Sequence, residues 1–131
     1  MTQPRHILAV DDSAVVRQVI AAMLEKQGYR VTTARDGASM RERLQQNDAV
    51  DAIILDVLMP GEPSDSLARY ARSLGIPVVM ISGSLETMTV AEIDGLQLLR
   101  KPFGFEELTN ALTKAFESGQ FGQRSEDSDS C

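Results

Sequence analysis

The stretch ILAVDDS, residues 7–13, joins a short apolar run directly to two adjacent aspartates. Four consecutive apolar residues at 7–10 predict a strand that is buried on both faces of a sheet. The pair Asp11-Asp12 then falls at the carboxyl end of this strand. The same arrangement recurs at residues 52–56, where the run AIIL ends at Asp56. Two buried strands that end in carboxylates indicate both the fold and the place of a site.

Outward from these stretches, strand and helix patterns alternate along the chain. The short apolar runs predict five strands, at residues 7–10, 29–34, 52–55, 77–81 and 96–100. Helical spacing of apolar residues predicts five helices, at residues 14–27, from the 36–37 turn to about 46, around 67–74, within 85–92 and from 105 to about 116. This alternation predicts an α/β fold with a five-stranded parallel sheet covered by helices on both faces.

The order of the strands follows from their polarity. The first, third and fourth are the most apolar and are therefore predicted to be central, whereas the second and fifth carry polar residues typical of sheet edges. This pattern matches the 2-1-3-4-5 order of flavodoxin-like, doubly wound sheets. In such sheets ligands bind beyond the carboxyl ends of the strands.

Five polar or charged residues follow predicted strand ends: Asp11, Asp12, Asp56, Ser82 and Lys101. Three carboxylates at one edge repel one another, so the cluster favours a bound cation. Carboxylate oxygens suit Mg²⁺, which usually keeps several water ligands as well. A carboxylate beside that metal can act as a nucleophile toward a phosphoryl group. A lysine ammonium and a hydroxyl are suited to stabilise the transferred group.

Each of these residues also has an ordinary structural interpretation. A single aspartate after a strand is usually a turn or helix-cap residue, and Ser82 before Gly83 is typical of a loop. Lys101 before a proline is more often a solvent-exposed lysine. Placement of all five at the ends of four different strands favours a site instead. His6 has no partner in the pattern and is predicted to lie at an edge or on the surface.

Composition sets the limits on function. The chain has 131 residues, 43% hydrophobic and 24% charged, as in a soluble globular protein. No apolar run is long enough for a membrane span, and no signal peptide is evident. The net charge of −6 disfavours non-specific nucleic-acid binding. The single cysteine, Cys131, excludes an internal disulfide and favours a reducing cytoplasm.

The composition also divides the chain into two parts. Residues 1–118 are predicted to form one domain. Residues 119–131 are rich in Gly, Ser, Gln and acidic residues, with no apolar residue between Phe121 and Cys131. This acidic tail is predicted to be disordered.

The sequence resembles the receiver domains of two-component response regulators, and in particular single-domain receivers of the chemotaxis-regulator kind. Four motifs carry the resemblance: ILAVDDS at 7–13, IILDVLMPG at 53–61, VVMISGS at 78–84 and LLRKPF at 98–103. With the helices between them they cover about residues 5–118. One motif alone is moderately specific, but four in the same order are strongly so.

The resemblance implies a role for each site residue. Asp56 corresponds to the aspartate that accepts the phosphoryl group. Asp12 corresponds to the direct Mg²⁺ ligand, Asp11 to its partner, often bound through water, and the backbone carbonyl of Leu58 to a further ligand.

On the phosphoryl side, Ser82 corresponds to the hydroxyl that bonds the phosphoryl group and Lys101 to the lysine that pairs with it. The Lys101-Pro102 bond is implied to be cis. The phosphoryl donor is implied to be a histidine kinase or a histidine phosphotransfer protein. Output is implied to be contact with a downstream protein, or transfer of the phosphoryl group in a relay. No enzymatic activity is expected beyond the chain's own phosphorylation and dephosphorylation, and neither nucleic acid nor membrane is an expected partner.

Three departures from the family pattern stand out. The text GEPSDS at 61–66 replaces the usual Asp-Gly, the span from Ser82 to Lys101 is a few residues short, and Leu98 stands where an aromatic residue is common. Two other functions are weighed against the first. A hydrolase of the haloacid-dehalogenase type needs an aspartate two residues after the nucleophile, where this chain has Leu58. A degenerate receiver would bind partners without being phosphorylated.

Overall fold

The fold is described from a computed structural model, which covers residues 4–46, 49–57, 59–83 and 96–130, with side chains in the last range up to Glu117. Five parallel strands form one sheet in the order β2-β1-β3-β4-β5. They are β1 His6–Val10, β2 Arg30–Ala34, β3 Ala52–Asp56, β4 Val78–Ser82 and β5 Leu96–Arg100. The predicted strand order and fold class are therefore confirmed.

Four helices flank this sheet in the described ranges: α1 Ala14–Lys26, α2 Gly37–Gln45, α3 Ser64–Ser73 and α4 Phe105–Ser130. The further helix predicted within residues 85–92 lies outside the described residues. Within those ranges, no helix is both long enough and apolar enough to cross a lipid bilayer.

The three central strands form the core of the domain. Every residue of β1, β3 and β4 is buried, whereas β2 and β5 are partly exposed, as expected for edges. Along β1, Ile7 and Ala9 contact one core layer, while Leu8 and Val10 contact the other. Helices α1 and α4 cover the first layer, and α2 and α3 cover the second. Burial on both faces explains why these strands are continuous apolar runs.

Two helix ends show how local sequence sets the boundaries. Ser13 caps α1, since its Oγ accepts a hydrogen bond from the amide of Val16 at 3.3 Å. The same helix ends at Lys26, one residue earlier than predicted, and Gly28 follows with a φ of 92°. Such a left-handed conformation favours glycine and turns the chain toward β2.

His6 is buried, with 2% of its surface exposed, so the prediction of an edge or surface histidine was wrong. Its strand lies between β2 and β3, and its polar partners come from β2 and from the segment before β3. Nδ1 lies 2.9 Å from the carbonyl oxygen of Ala49, and Nε2 lies 2.6 Å from Oγ1 of Thr32. These contacts satisfy the imidazole ring inside the protein, which is the usual condition for burying a polar group.

The backbone of α4 continues to Ser130, so residues 119–130 are helical in this structure, although their composition predicts disorder. Once a helix is nucleated, each further residue adds one backbone hydrogen bond, which favours its continuation. However, Gly119 and Gly122 each lower the helix propensity by about 1 kcal/mol relative to alanine. In the part of α4 whose side chains the structure describes, the apolar residues from Leu108 to Phe116 join the core.

Deletion of residues 120–131 is expected to shift the Tm by no more than about 3 °C, because a segment of mainly Gly, Ser, Gln and acidic residues has little apolar surface to bury. Differential scanning calorimetry measures the shift. The control is Leu112→Ala in the full chain, which removes a fully buried side chain of α4 and is expected to cost about 2–5 kcal/mol. A loss of Tm on deletion comparable to that of the control would show that the segment docks on the domain.

Candidate functional site

Three carboxylates meet at the carboxyl edge of the sheet. Val10 pairs with Leu55, so Asp11, which follows β1, lies beside Asp56 at the end of β3. One carboxylate oxygen from each of Asp11, Asp12 and Asp56 lies within 4.8 Å of the others. Asp11 is fully buried and Asp56 is 4% exposed, whereas Asp12 faces solvent. The cluster therefore has a buried wall of two carboxylates and one carboxylate at its mouth.

Lys101 brings a positive charge to this cluster. Its Nζ lies 3.5 Å from Oδ2 of Asp11 and 3.5 Å from Oδ1 of Asp56. The residue follows β5 directly, and its amide donates a hydrogen bond of 2.8 Å to the carbonyl of Ser82. The Lys101–Pro102 peptide bond is cis, as the resemblance implies. One ammonium thus faces two buried carboxylates, and the three negative charges are only partly balanced.

Ser82 lies at the end of the neighbouring strand. Asp56 pairs with Ile81, so Ser82 is one position beyond the residue opposite Asp56, and it is 5% exposed. The structure thus brings Asp11, Asp12, Asp56 and Lys101 together, with Ser82 at the adjacent strand end. Leu58, whose backbone carbonyl the resemblance assigns to the metal, lies outside the described residues.

Two residues at the start of α1, the N-cap Ser13 and Arg17 in the helix itself, hold Asp11. They were not identified from the sequence. The amide of Ser13 donates a 2.9 Å hydrogen bond to Oδ1 of Asp11. The guanidinium of Arg17 donates a 2.7 Å hydrogen bond to the carbonyl oxygen of Asp11. Ser13 and Arg17 are four residues apart and so lie on one side of the helix start. This spacing beside Asp11 is the signal that could have revealed the pair.

Ser64 holds the backbone next to Asp56. Its Oγ lies 2.8 Å from the carbonyl oxygen of Asp56 and 2.7 Å from that of Val57. The side chain is buried, at the start of α3. The unusual text GEPSDS therefore contains a residue that contacts the candidate site directly. No local sequence pattern predicts this contact, because the two carbonyl groups precede Ser64 by eight and seven residues.

Glu62, just before α3, takes part in a network with α2. Arg41 donates two hydrogen bonds to its carboxylate, from Nε to Oε1 at 2.9 Å and from Nη2 to Oε2 at 2.6 Å. Ser66 adds a 2.7 Å hydrogen bond to Oε2. The Arg41 guanidinium also lies 4.2 Å from the centre of the Tyr70 ring. The Arg41 hydrogen bonds, followed by that from Ser66, lower the pKa of Glu62 to about 2.

An apolar groove of about 500 Å³ lies beside Lys101. Two of its lining side chains from α1 are open to solvent, Val15 at 68% and Val19 at 44%. The remaining lining residues are Val16, Ile20, Gly83, Lys101, Pro102 and Phe103. The mouth of the charged cluster is therefore flanked on one side by exposed apolar surface.

A flavodoxin-like sheet with three carboxylates and a lysine at its carboxyl edge defines the general class of the protein. Residues 7–113 match the family of response regulator receiver domains. The chain therefore belongs to this family, and the resemblance drawn from the four motifs is confirmed.

Individual relatives give the same answer. Protein PetR of Rhodobacter capsulatus is 37% identical over 111 residues, which are 80% of this chain and 46% of PetR. A response regulator receiver protein from Sinorhizobium medicae superposes with a TM-score of 0.81 at 26% identity, covering 89% of this chain and 98% of that one. Chemotaxis protein CheY4 of Vibrio cholerae is 30% identical with a TM-score of 0.74, covering 86% and 98%. The chain spans about half the length of the curated relatives it matches.

Replacement of Glu62 by glutamine is expected to make the free energy of unfolding depend less on pH at acidic pH. The ordinary pKa of 4.5 falls to about 2 in the folded protein, so the carboxylate contributes stability above pH 4.5. That contribution is lost as the pH falls through about 2. Urea unfolding of Glu62→Gln between pH 7 and pH 2 should show lower stability than the parent at pH 7 and nearly equal stability at pH 2.

Arg41→Gln tests the cause of this shift, because it removes the donors that lower the pKa of Glu62. It is expected to reduce the pH dependence of the free energy of unfolding as Glu62→Gln does. The double variant, Arg41→Gln with Glu62→Gln, should reduce it little further. Parallel curves for the parent and both single variants would contradict the assignment.

Proposed function

We propose that the protein accepts a phosphoryl group on Asp56 in a Mg²⁺-dependent reaction and signals in the phosphorylated form. The observation that carries this proposal is the meeting of three carboxylates and Lys101 at one edge of the sheet. Membership of the receiver family makes phosphoryl acceptance the chemistry to expect there.

The donor set suits Mg²⁺. Three carboxylates supply hard oxygen ligands, and their oxygens lie close enough together for one ion to serve all three. In this proposal Asp12 is the direct ligand, Asp11 acts largely through water, and Asp56 and the backbone carbonyl of Leu58 complete the set. Bound Mg²⁺ supplies charge neutralisation for the oxygens of the phosphoryl group.

The chain's own side chains perform the transfer. A carboxylate oxygen of Asp56 attacks phosphorus, a P–O bond forms, and the bond from phosphorus to the donor's histidine nitrogen breaks. The Lys101 ammonium, already 3.5 Å from Asp56, offsets negative charge on the phosphoryl oxygens. The Ser82 hydroxyl donates a hydrogen bond to one of them. Hydrolysis of the acyl phosphate by water returns Asp56 and releases phosphate, so the chain catalyses only its own phosphorylation and dephosphorylation.

A histidine kinase or histidine phosphotransfer protein is the proposed donor. Its histidine has to approach Asp56 past the mouth of the cluster, and the exposed Val15 and Val19 offer apolar contact area there. Output then proceeds through contact with a downstream protein or by passing the phosphoryl group on. The net charge of −6 favours protein rather than nucleic acid or membrane as the partner. We infer the cytoplasm as its compartment.

Asp56→Asn is expected to abolish phosphorylation, because an amide is not a nucleophile toward phosphorus under these conditions. Intact-mass spectrometry after incubation with Mg²⁺ and a small acyl-phosphate donor measures the added phosphoryl mass. The matched control is Asp51→Asn, an exposed aspartate just before β3 and therefore at the opposite edge of the sheet, which should be phosphorylated like the parent.

Two outcomes contradict the proposal. Added phosphoryl mass that persists in Asp56→Asn would place the acceptor elsewhere. A parent protein that gains no mass with any donor, while still binding its partner, would identify a receiver that works without phosphorylation.

A further inference from the structure

The peptide bond between Asp56 and Val57 is held from two sides. Its N–H donates a 2.9 Å hydrogen bond to the carbonyl oxygen of Ile81 on β4. Its carbonyl oxygen, from Asp56, lies 2.8 Å from the Oγ of Ser64 on α3. The two groups of a trans peptide point in opposite directions, so these contacts together fix the plane of the peptide. That plane in turn limits the directions available to the Asp56 side chain.

The Ser64 hydroxyl is not used in the way a serine at a helix start usually is. A capping serine accepts a hydrogen bond from an amide in the first turn of its helix. Here Pro63 occupies the N-cap position of α3 without a side-chain hydrogen bond. The single hydroxyl proton of Ser64 points back to the carbonyls of Asp56 and Val57, which share it as acceptors. The hydroxyl therefore serves the backbone at the acceptor residue rather than its own helix.

The Glu62 network keeps Ser64 in place. Glu62 is two residues before Ser64 and is tied to α2 by the two hydrogen bonds from Arg41. Ser66, two residues after Ser64, bonds the same carboxylate. Hydrogen bonds therefore hold the start of α3 on both sides of Ser64. The bidentate contact with Arg41 allows little rotation of the Glu62 side chain.

We propose that Ser64, supported by the Arg41–Glu62 pair, is a positioning residue that orients the Asp56 carboxylate for metal binding and phosphoryl acceptance. This inference rests on the proposed function of Asp56. Ser64 touches neither metal nor phosphoryl group and acts through the backbone of Asp56. Groups that orient a metal ligand in this way change affinity by about 10–100-fold when they are removed.

The test is Ser64→Ala, which removes the hydroxyl and leaves the rest of the side chain. Isothermal titration calorimetry is expected to show Mg²⁺ affinity about tenfold weaker than that of the parent. The Val57 amide should exchange its hydrogen faster in the metal-free protein, as measured by NMR. Phosphorylation by a small acyl-phosphate donor at saturating Mg²⁺ should also be slower.

A control variant in the other core layer distinguishes a positioning effect of Ser64 from a general loss of stability. Ile7→Val removes one methylene from a fully buried side chain near the amino end of β1, at the sheet edge opposite the site, and destabilises the domain. It is expected to keep the parent's Mg²⁺ affinity and Val57 exchange rate at temperatures well below its Tm. Equal losses in Ser64→Ala and Ile7→Val would overturn the positioning role.

A second variant keeps the inference testable if Ser64→Ala does not fold. Glu62→Gln lies at the surface and keeps a hydrogen-bonding side chain, and it should weaken Mg²⁺ binding in the same direction by a smaller factor. Parent-like affinity in Glu62→Gln would overturn the supporting role of the pair. Failure of the parent itself to bind Mg²⁺ or gain phosphoryl mass would instead reject the proposed function.

Discussion

Three carboxylates and one ammonium share a small volume at the end of the sheet, and two of the carboxylates are buried. Like charges at such distances repel one another strongly in a medium less polar than water. Lys101 offsets part of that repulsion by lying 3.5 Å from both Asp11 and Asp56. The repulsion that remains among the carboxylates favours cation binding, because a bound cation relieves it. In the proposed function, the same electrostatic imbalance drives both the binding of Mg²⁺ and the acceptance of a phosphoryl group.

The rest of the fold keeps these charges from moving apart. The three buried strands β1, β3 and β4 are packed on both faces, so their carboxyl ends are held in a fixed register. Hydrogen bonds from Ser13 and Arg17 then fix Asp11, and Ser64 fixes the backbone of Asp56. Preorganisation of this kind removes the free-energy cost of reorienting these charged groups during the proposed reaction. The exposed Asp12 is the member of the cluster with most access to solvent and to an arriving ligand.

Much of this arrangement could be predicted from the sequence. Continuous apolar runs identified the central strands, because only strands buried on both faces need such runs. The runs also end at the polar residues of the site, so their placement followed from the fold. The contacts of Ser64 and of the Arg41–Glu62 pair could not be predicted, because the partners of the pair are 21 residues apart and meet only in the tertiary structure. His6 was misjudged for the same reason, since its partner Thr32 comes from another strand.

The role of like-charge repulsion is tested most directly by comparing the parent with Asp12→Asn in Mg²⁺ affinity and in the stability of the metal-free protein. If like-charge repulsion drives the site, the variant binds Mg²⁺ at least roughly tenfold more weakly, because a direct ligand loses its charge and even groups that only orient a ligand change affinity by about 10–100-fold. Its metal-free form is then as stable as the parent, or more stable, because one of three neighbouring negative charges is gone. A metal-free variant that is clearly less stable, with Mg²⁺ affinity unchanged, would contradict the account and assign Asp12 a structural role.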